Sequence, residues 1–190
     1  MPLPFPNSEG MQTVFVDPEE DNTIVFAEEF TKLQGKFAYC IDETDLKVQL
    51  FQLLQTRSWK LYHYAEPFVA RLFPELALHQ DLASCDVAIT GCEYISARTG
   101  SIILSSAMHN GRTTSVYAPI HICIAYTSQL KKDIRDVFLS LKETNGNNFP
   151  SLVTFATGPS RTADIEKTLV TGVHGPKEVY CFLVEDEASY

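Results

Sequence analysis

Short uninterrupted apolar runs alternate along this chain with longer segments whose apolar residues fall on one helical face. In "DETDLKVQLFQLLQTR" the residues Leu46, Leu50, Phe51, Leu53 and Leu54 form one broad stripe behind a capping Asp42 or Thr44, which predicts a helix. "SQLKKDIRDVFLSLKE" repeats the pattern with Leu130, Ile134, Val137, Phe138 and Leu141 behind Ser128. "DNTIVFAEEFTKLQG" is a third helix, from Asp21 or Asn22 to Gly35, and "AEPFVARLFPEL" a short one broken by Pro74. Between them "KFAYCI", "WKLYHY", "CDVAITG", "TGSIILSSA", "LVTFAT" and "EVYCFLVE" have strand length and strand composition. "CEYISAR" is expected as a turn or short helix, and "TSVYAPIHICIAY" as a strand pair or one strand bent at Pro119. Strands apolar on both faces that alternate with helices imply a mostly parallel sheet flanked by helices, an α/β fold. The Asn110–Gly111 pair in "HNGR" predicts one antiparallel hairpin within it.

A length of 190 residues suits a single domain with its own core, here 21–190, preceded by a Pro-rich, irregular lead-in over 1–20 that packs against it. The net charge of −9, with no Lys/Arg run, argues against nucleic acid or an anionic membrane as partner. The start "MPLPFPNSEG" lacks the basic and apolar regions of a signal peptide, and the apolar stretches are too short to span a bilayer, so a cytoplasmic location is expected. The five cysteines are odd in number, widely spaced and never arranged CxxC. They are expected as small buried hydrophobes, not as ligands of zinc or an iron–sulfur cluster.

The polar chemistry concentrates in "TFATGPSRTADIEKTLVTGVHGPKEVYCFLVE", where three of the nine glycines, an Arg and a His lie between two strands. In open α/β sheets ligands bind beyond the carboxyl ends of strands. Gly158 permits a positive φ and close backbone approach, Pro159 stiffens the turn, and Ser160 or Thr162 can cap a following helix whose N–H groups would hold an anion. Arg161 adds a guanidinium fork matched to carboxylate or phosphate, while Asp164 and Glu166 could position it or act in acid–base chemistry. His174, between Gly172 and Gly175 in the turn, suits a general base or a ligand contact. The same residues also fit a plain Gly-Pro turn with surface charges, and His174 a structural hydrogen-bond partner. His121, inside an apolar run, is expected as a satisfied core imidazole. No HExxH or HxH occurs, so no dedicated metal site is expected, and the absence of GxxxxGK[ST], GxGxxG and GxSxG leaves no cofactor or nucleophile fingerprint.

"TGPSRTADIEKTLVTGVHGPKEV" resembles the C-terminal signature of the LUD domain, the bacterial lactate utilization protein C group, and "CDVAITGCEYISARTGSIILSSAMHNGRTTSVYAPIHICIAY" is similar to that family's central block. The likeness covers about residues 81–185 and places the family's motif on Thr99, Gly100, Arg112 and His121, then on Gly158 to Thr162, Asp164 to Glu166, and Gly172 with His174 to Pro176. It implies a fold like the NagB/RpiA/CoA-transferase group. It also implies a part in oxidation of L-lactate to pyruvate alongside iron–sulfur oxidoreductase partner proteins. The family pattern carries an acid before the Thr-Gly and a Thr after it, where this chain has Arg98 and Ser101. That swap changes which ligand charge is welcome there.

Two functions follow as expectations. In one, the chain is an accessory or ligand-binding subunit in which Thr99, Gly100, Arg112, Gly158, Ser160, Arg161, Thr162 and Gly175 surround a small carboxylate or phosphate, and His174 and Asp164 orient it. In the other, it is a stand-alone enzyme of formyltetrahydrofolate cyclo-ligase or CoA-transferase type, with Glu166 or Asp164 as base or nucleophile. A homo-oligomeric assembly is compatible with either.

Overall fold

The computed structural model describes residues 21–109, 113–165, 168–172 and 174–186, with backbone alone for 162–165 and 168–171. The expected lead-in over 1–20 and the Asn110–Gly111 turn lie outside the described residues.

Five parallel strands form the central sheet: β1 (Lys36–Cys40), β2 (Tyr62–His63), β3 (Val87–Thr90), β6 (Ile120–Tyr126) and β11 (Glu178–Val184), in spatial order β1-β11-β6-β3-β2. β3 is buried throughout and β11 from Val179 onward, which is why their sequences run apolar without alternation.

One face of the sheet is covered by α2 (Glu43–Arg57) and α3 (Pro67–Leu72). α2 starts where the Asp42 carboxylate accepts the Asp45 N–H at 2.7 Å, and it buries Leu46, Leu50 and Leu54 at successive i+4 positions. These leucines meet Val87, Ile89, Ile122, Ile124, Phe182 and Val184 from the sheet. The opposite face packs on α1 (Asn22–Lys32), whose Phe26 and Phe30 stack with ring centroids 5.4 Å apart, and on a second sheet.

That second sheet has the order β7-β4-β5-β8, from Leu130–Lys131, Tyr94–Ser96, Ser101–Ser105 and Val153–Ala156. β5 runs antiparallel to both β4 and β8. "CEYISAR" therefore contains a strand, not the expected turn or helix, because Ile95 pairs with Ile102 and is completely buried. The helix expected from Ser128 begins later: α5 (Ile134–Asn145) is capped by Asp133 and Asp136 in a reciprocal capping box. Ser128 instead lies in a 3₁₀ turn before β7. Pro119 separates a single helical turn, α4 (Thr114–Tyr117), from the straight β6. All five cysteines are free and buried, and Cys123 faces Cys181 across β6 and β11. No helix among the described residues is long and apolar enough to cross a membrane.

Candidate functional site

The described parts of the motif-bearing segment, 158–165, 168–172 and 174–177, are tied to the amino-terminal edge of the parallel sheet through Lys177 and Pro119. The preceding strand, β8, belongs to the antiparallel second sheet, so the carboxyl-end rule does not apply to the loop that follows it. Gly158 has φ 131°, and a Cβ there would lie 2.4 Å from the Leu33 carbonyl oxygen. Its freedom serves close packing on the end of α1.

The helix expected after Ser160 is not formed. Arg161–Ile165 is strand β9, paired antiparallel with β10 (Thr168–Thr171), so the expected helix-dipole anion site does not exist at this position. The β-branched residues Thr162, Ile165, Thr168, Val170 and Thr171 explain the preference. The Ser160 N–H is also committed. It donates to the Pro176 carbonyl at 2.9 Å, while the Ser160 carbonyl accepts the Gly172 N–H at 2.9 Å. Lys177 N–H donates to the Pro119 carbonyl at 2.7 Å, which ties the loop to the entrance of β6.

These bonds close the loop around an open depression of about 390 Å³, lined by Val116 and Tyr117 of α4 and by Gly172, His174 and Gly175. Gly175 packs so tightly on Ser160 that a Cβ would fall 2.9 Å from the serine Cβ. His174 is exposed. Arg161, also exposed, stands opposite Thr171 at the base of the hairpin. It carries no ion pair among the described residues and is not among the described lining of the depression. An imidazole in the wall with a guanidinium one backbone step from Ser160, unpaired among the described residues, can attract a small anion.

The other expected residues are placed differently. Thr99 and Gly100 form the turn between β4 and β5. The Thr99 hydroxyl donates to Ser96 Oγ at 3.0 Å and accepts from Ser101 at 2.8 Å, and a Cβ on Gly100 would meet the Phe30 nitrogen at 2.4 Å. Arg98 pairs with Asp133, the cap of α5, so its positive charge is answered within the fold. Arg112 and Glu166 lie outside the described residues, as do the side chains of Thr162 and Asp164.

A second polar group lies in the sheet. His121, 1% exposed, contacts Thr90 Oγ1 through Nε2 at 2.8 Å. Thr90 gives its one proton to the Gly91 carbonyl, at 2.8 Å. In either tautomer Nδ1 is buried with no hydrogen-bond partner among the described residues. His121 is thus only half satisfied, and burial lowers its pKa to about 4. Glu66, 6% exposed at the start of α3, accepts a long 3.4 Å contact from Gly91 N–H through Oε1, and burial raises its pKa to about 7 against the opposing pull of its own, Gly91's and Ala65's backbone amides. Sequence reasoning missed Glu66 because Glu-Pro before an apolar run reads as an ordinary helix start.

The sequence model of the LUD domain matches residues 10–184. The chain belongs to the LUD domain family. Among curated relatives, the lactate utilization protein C of Halalkalibacterium halodurans is 39% identical over 103 residues, 53% of this chain and 45% of that protein. That of Bacillus subtilis is 35% identical over 103 residues, again 53% of this chain and 43% of its own length. The aligned part thus spans just under half of these relatives. In fold, this LUD domain is similar to the crystal structure of a DUF162 family protein from Deinococcus radiodurans, with a TM-score of 0.63 at 16% identity, over 87% of this chain and 99% of that one.

Proposed function

We propose that this LUD domain is an accessory, ligand-binding subunit of a cytoplasmic lactate-oxidising system and holds a small carboxylate or phosphate in the depression at the amino-terminal edge of its sheet. Arg161 and Arg112 attract the anion, and His174 and Asp164 orient it. The observation that carries the reading is the ring of backbone bonds from Ser160 to Gly172 and Pro176, which sets His174 and Gly175 in the wall of the open depression. Relatives named lactate utilization protein C supply the pathway. The chain offers no cysteine spacing for a cluster, so electrons from L-lactate on the way to pyruvate pass through iron–sulfur partner proteins.

Affinity purification of the tagged chain from its native host tests this reading. A stoichiometric complex with iron–sulfur oxidoreductases is the expected result. A chain that purifies alone and turns over a nucleotide or thioester by itself would contradict it.

A further inference from the structure

The carboxyl-terminal edge of the parallel sheet holds a different chemistry. The connection from β2 to β3 runs through α3 on one face, and the connection from β3 to β6 runs through β4 and β5 on the other. The two loops part above the carboxyl ends of β2 and β3, the place where open α/β sheets form a crevice. Glu66 comes from the first loop and Gly91 from the second, and they meet across the gap. Glu66 Oε2 is buried with no hydrogen-bond partner among the described residues. Ordinary folds leave few such atoms, and each one asks for a partner. The half-buried rings of Phe68, Tyr64 and Tyr126 border the same core, with Phe68 laid over Gly91.

The charges around this edge select the partner. The turn after β3 contributes Cys92 and Glu93, β6 contributes Cys123 and Tyr126, α2 contributes Glu43, and α3 contributes Arg71. The hydrogen bond with Cys123 and burial push the Cys92 thiol well above its ordinary range, and burial with a hydrogen bond to Cys181 does the same for Cys123, so both stay neutral. Glu93 accepts from Ser105, and Glu43 accepts from the Tyr126 hydroxyl at 2.9 Å. Arg71 lies 3.7 Å from Glu43 and is turned largely to solvent. Further along the edge, Asp186 is held by Thr127 and Ser128. Among these groups the carboxylates of Glu43, Glu66, Glu93 and Asp186 outnumber the one guanidinium of Arg71, a balance that favours a cation over an anion. No group of three or more His, Cys, Asp or Glu among the described residues could hold a metal ion.

We propose that the crevice between the β2–α3 and β3–β4 loops is a second ligand site, taking a small organic ammonium ion whose N–H donates to Glu66 Oε2 near the Phe68 ring. Aromatic faces favour such a cation, and a charge-assisted bond satisfies the orphaned oxygen. Only the ionised carboxylate receives it, so the ligand drives a proton off Glu66. This site is separate from the anion depression at the opposite edge and does not depend on it.

Ethylammonium chloride is the probe, titrated calorimetrically into the full chain at pH 6 and pH 8, with sodium chloride matching ionic strength. The expected result is saturable binding about tenfold weaker at pH 6 than at pH 8, because the carboxyl titrates near 7. Glu66→Gln, which keeps shape and burial, should remove binding at both pH values, while Glu43→Gln and Arg161→Ala should retain it. No saturable binding at pH 8, affinity independent of pH, or binding undiminished in Glu66→Gln would each overturn the proposal.

Discussion

Glu66 and His121 make opposite demands on pH. The neutral Glu66 carboxyl is stable in acid, and because burial raises its folded pKa from 4.5 to about 7, stability is lost as pH rises through that window. His121 is lowered from 6.5 to about 4, so stability present above pH 6.5 is lost as pH falls toward 4. Between about pH 5 and 8 the two penalties largely offset, and urea unfolding of the wild type should be nearly flat there. Glu66→Gln leaves the imidazole alone, so the variant should be about 2 kcal/mol more stable at pH 8 than at pH 5. A variant whose pH profile matches the wild type would show that the carboxylate carries no burial penalty. Little at these two positions was legible in the sequence. Burial of Glu66 depends on α3 closing over β3, and the open Nδ1 of His121 depends on which groups the fold packs against that side of the ring.

At the scale of elements, helix stripes and apolar strands were legible because burial imposes them directly. Leu46, Leu50 and Leu54 are buried on α2 at the expected spacing, whereas Val48 on the other face is 51% exposed. Leu50→Ala should cost about 2–5 kcal/mol in chemical unfolding and Val48→Ala no more than about 0.5. Comparable losses at both positions would mean that α2 is not seated as described. The segment after Gly158 misled because Ser, Thr, Asp and Glu in a row imitate a helix start. The alternating β-branched residues Thr162, Thr168 and Val170 were the competing signal, and pairing with β10 settled it. Gly158→Ala should destabilise the domain measurably, since its Cβ would enter the Leu33 carbonyl at φ 131°. An unchanged melting temperature for that variant would count against the packing of this loop on α1.

Across the whole molecule, the two edges of one sheet carry contrasting chemistry, an imidazole and a guanidinium at the amino-terminal edge and a largely acidic carboxyl-terminal edge. Strand order was not readable from the sequence, because nothing local distinguishes a strand of the parallel sheet from one of the antiparallel sheet. β8 and β11 look alike in composition yet join different sheets, and that difference moves the Arg161–His174 segment to the amino-terminal edge. The most direct test of the account is thermal unfolding of the wild type and Arg161→Ala with L-lactate, pyruvate and inorganic phosphate. At about a hundredfold excess over Kd, one of these anions should raise the wild-type Tm by about 5–10 °C, with most of the rise lost in Arg161→Ala. Equal shifts in both proteins, or none with any of the three, would contradict an anion site at this edge.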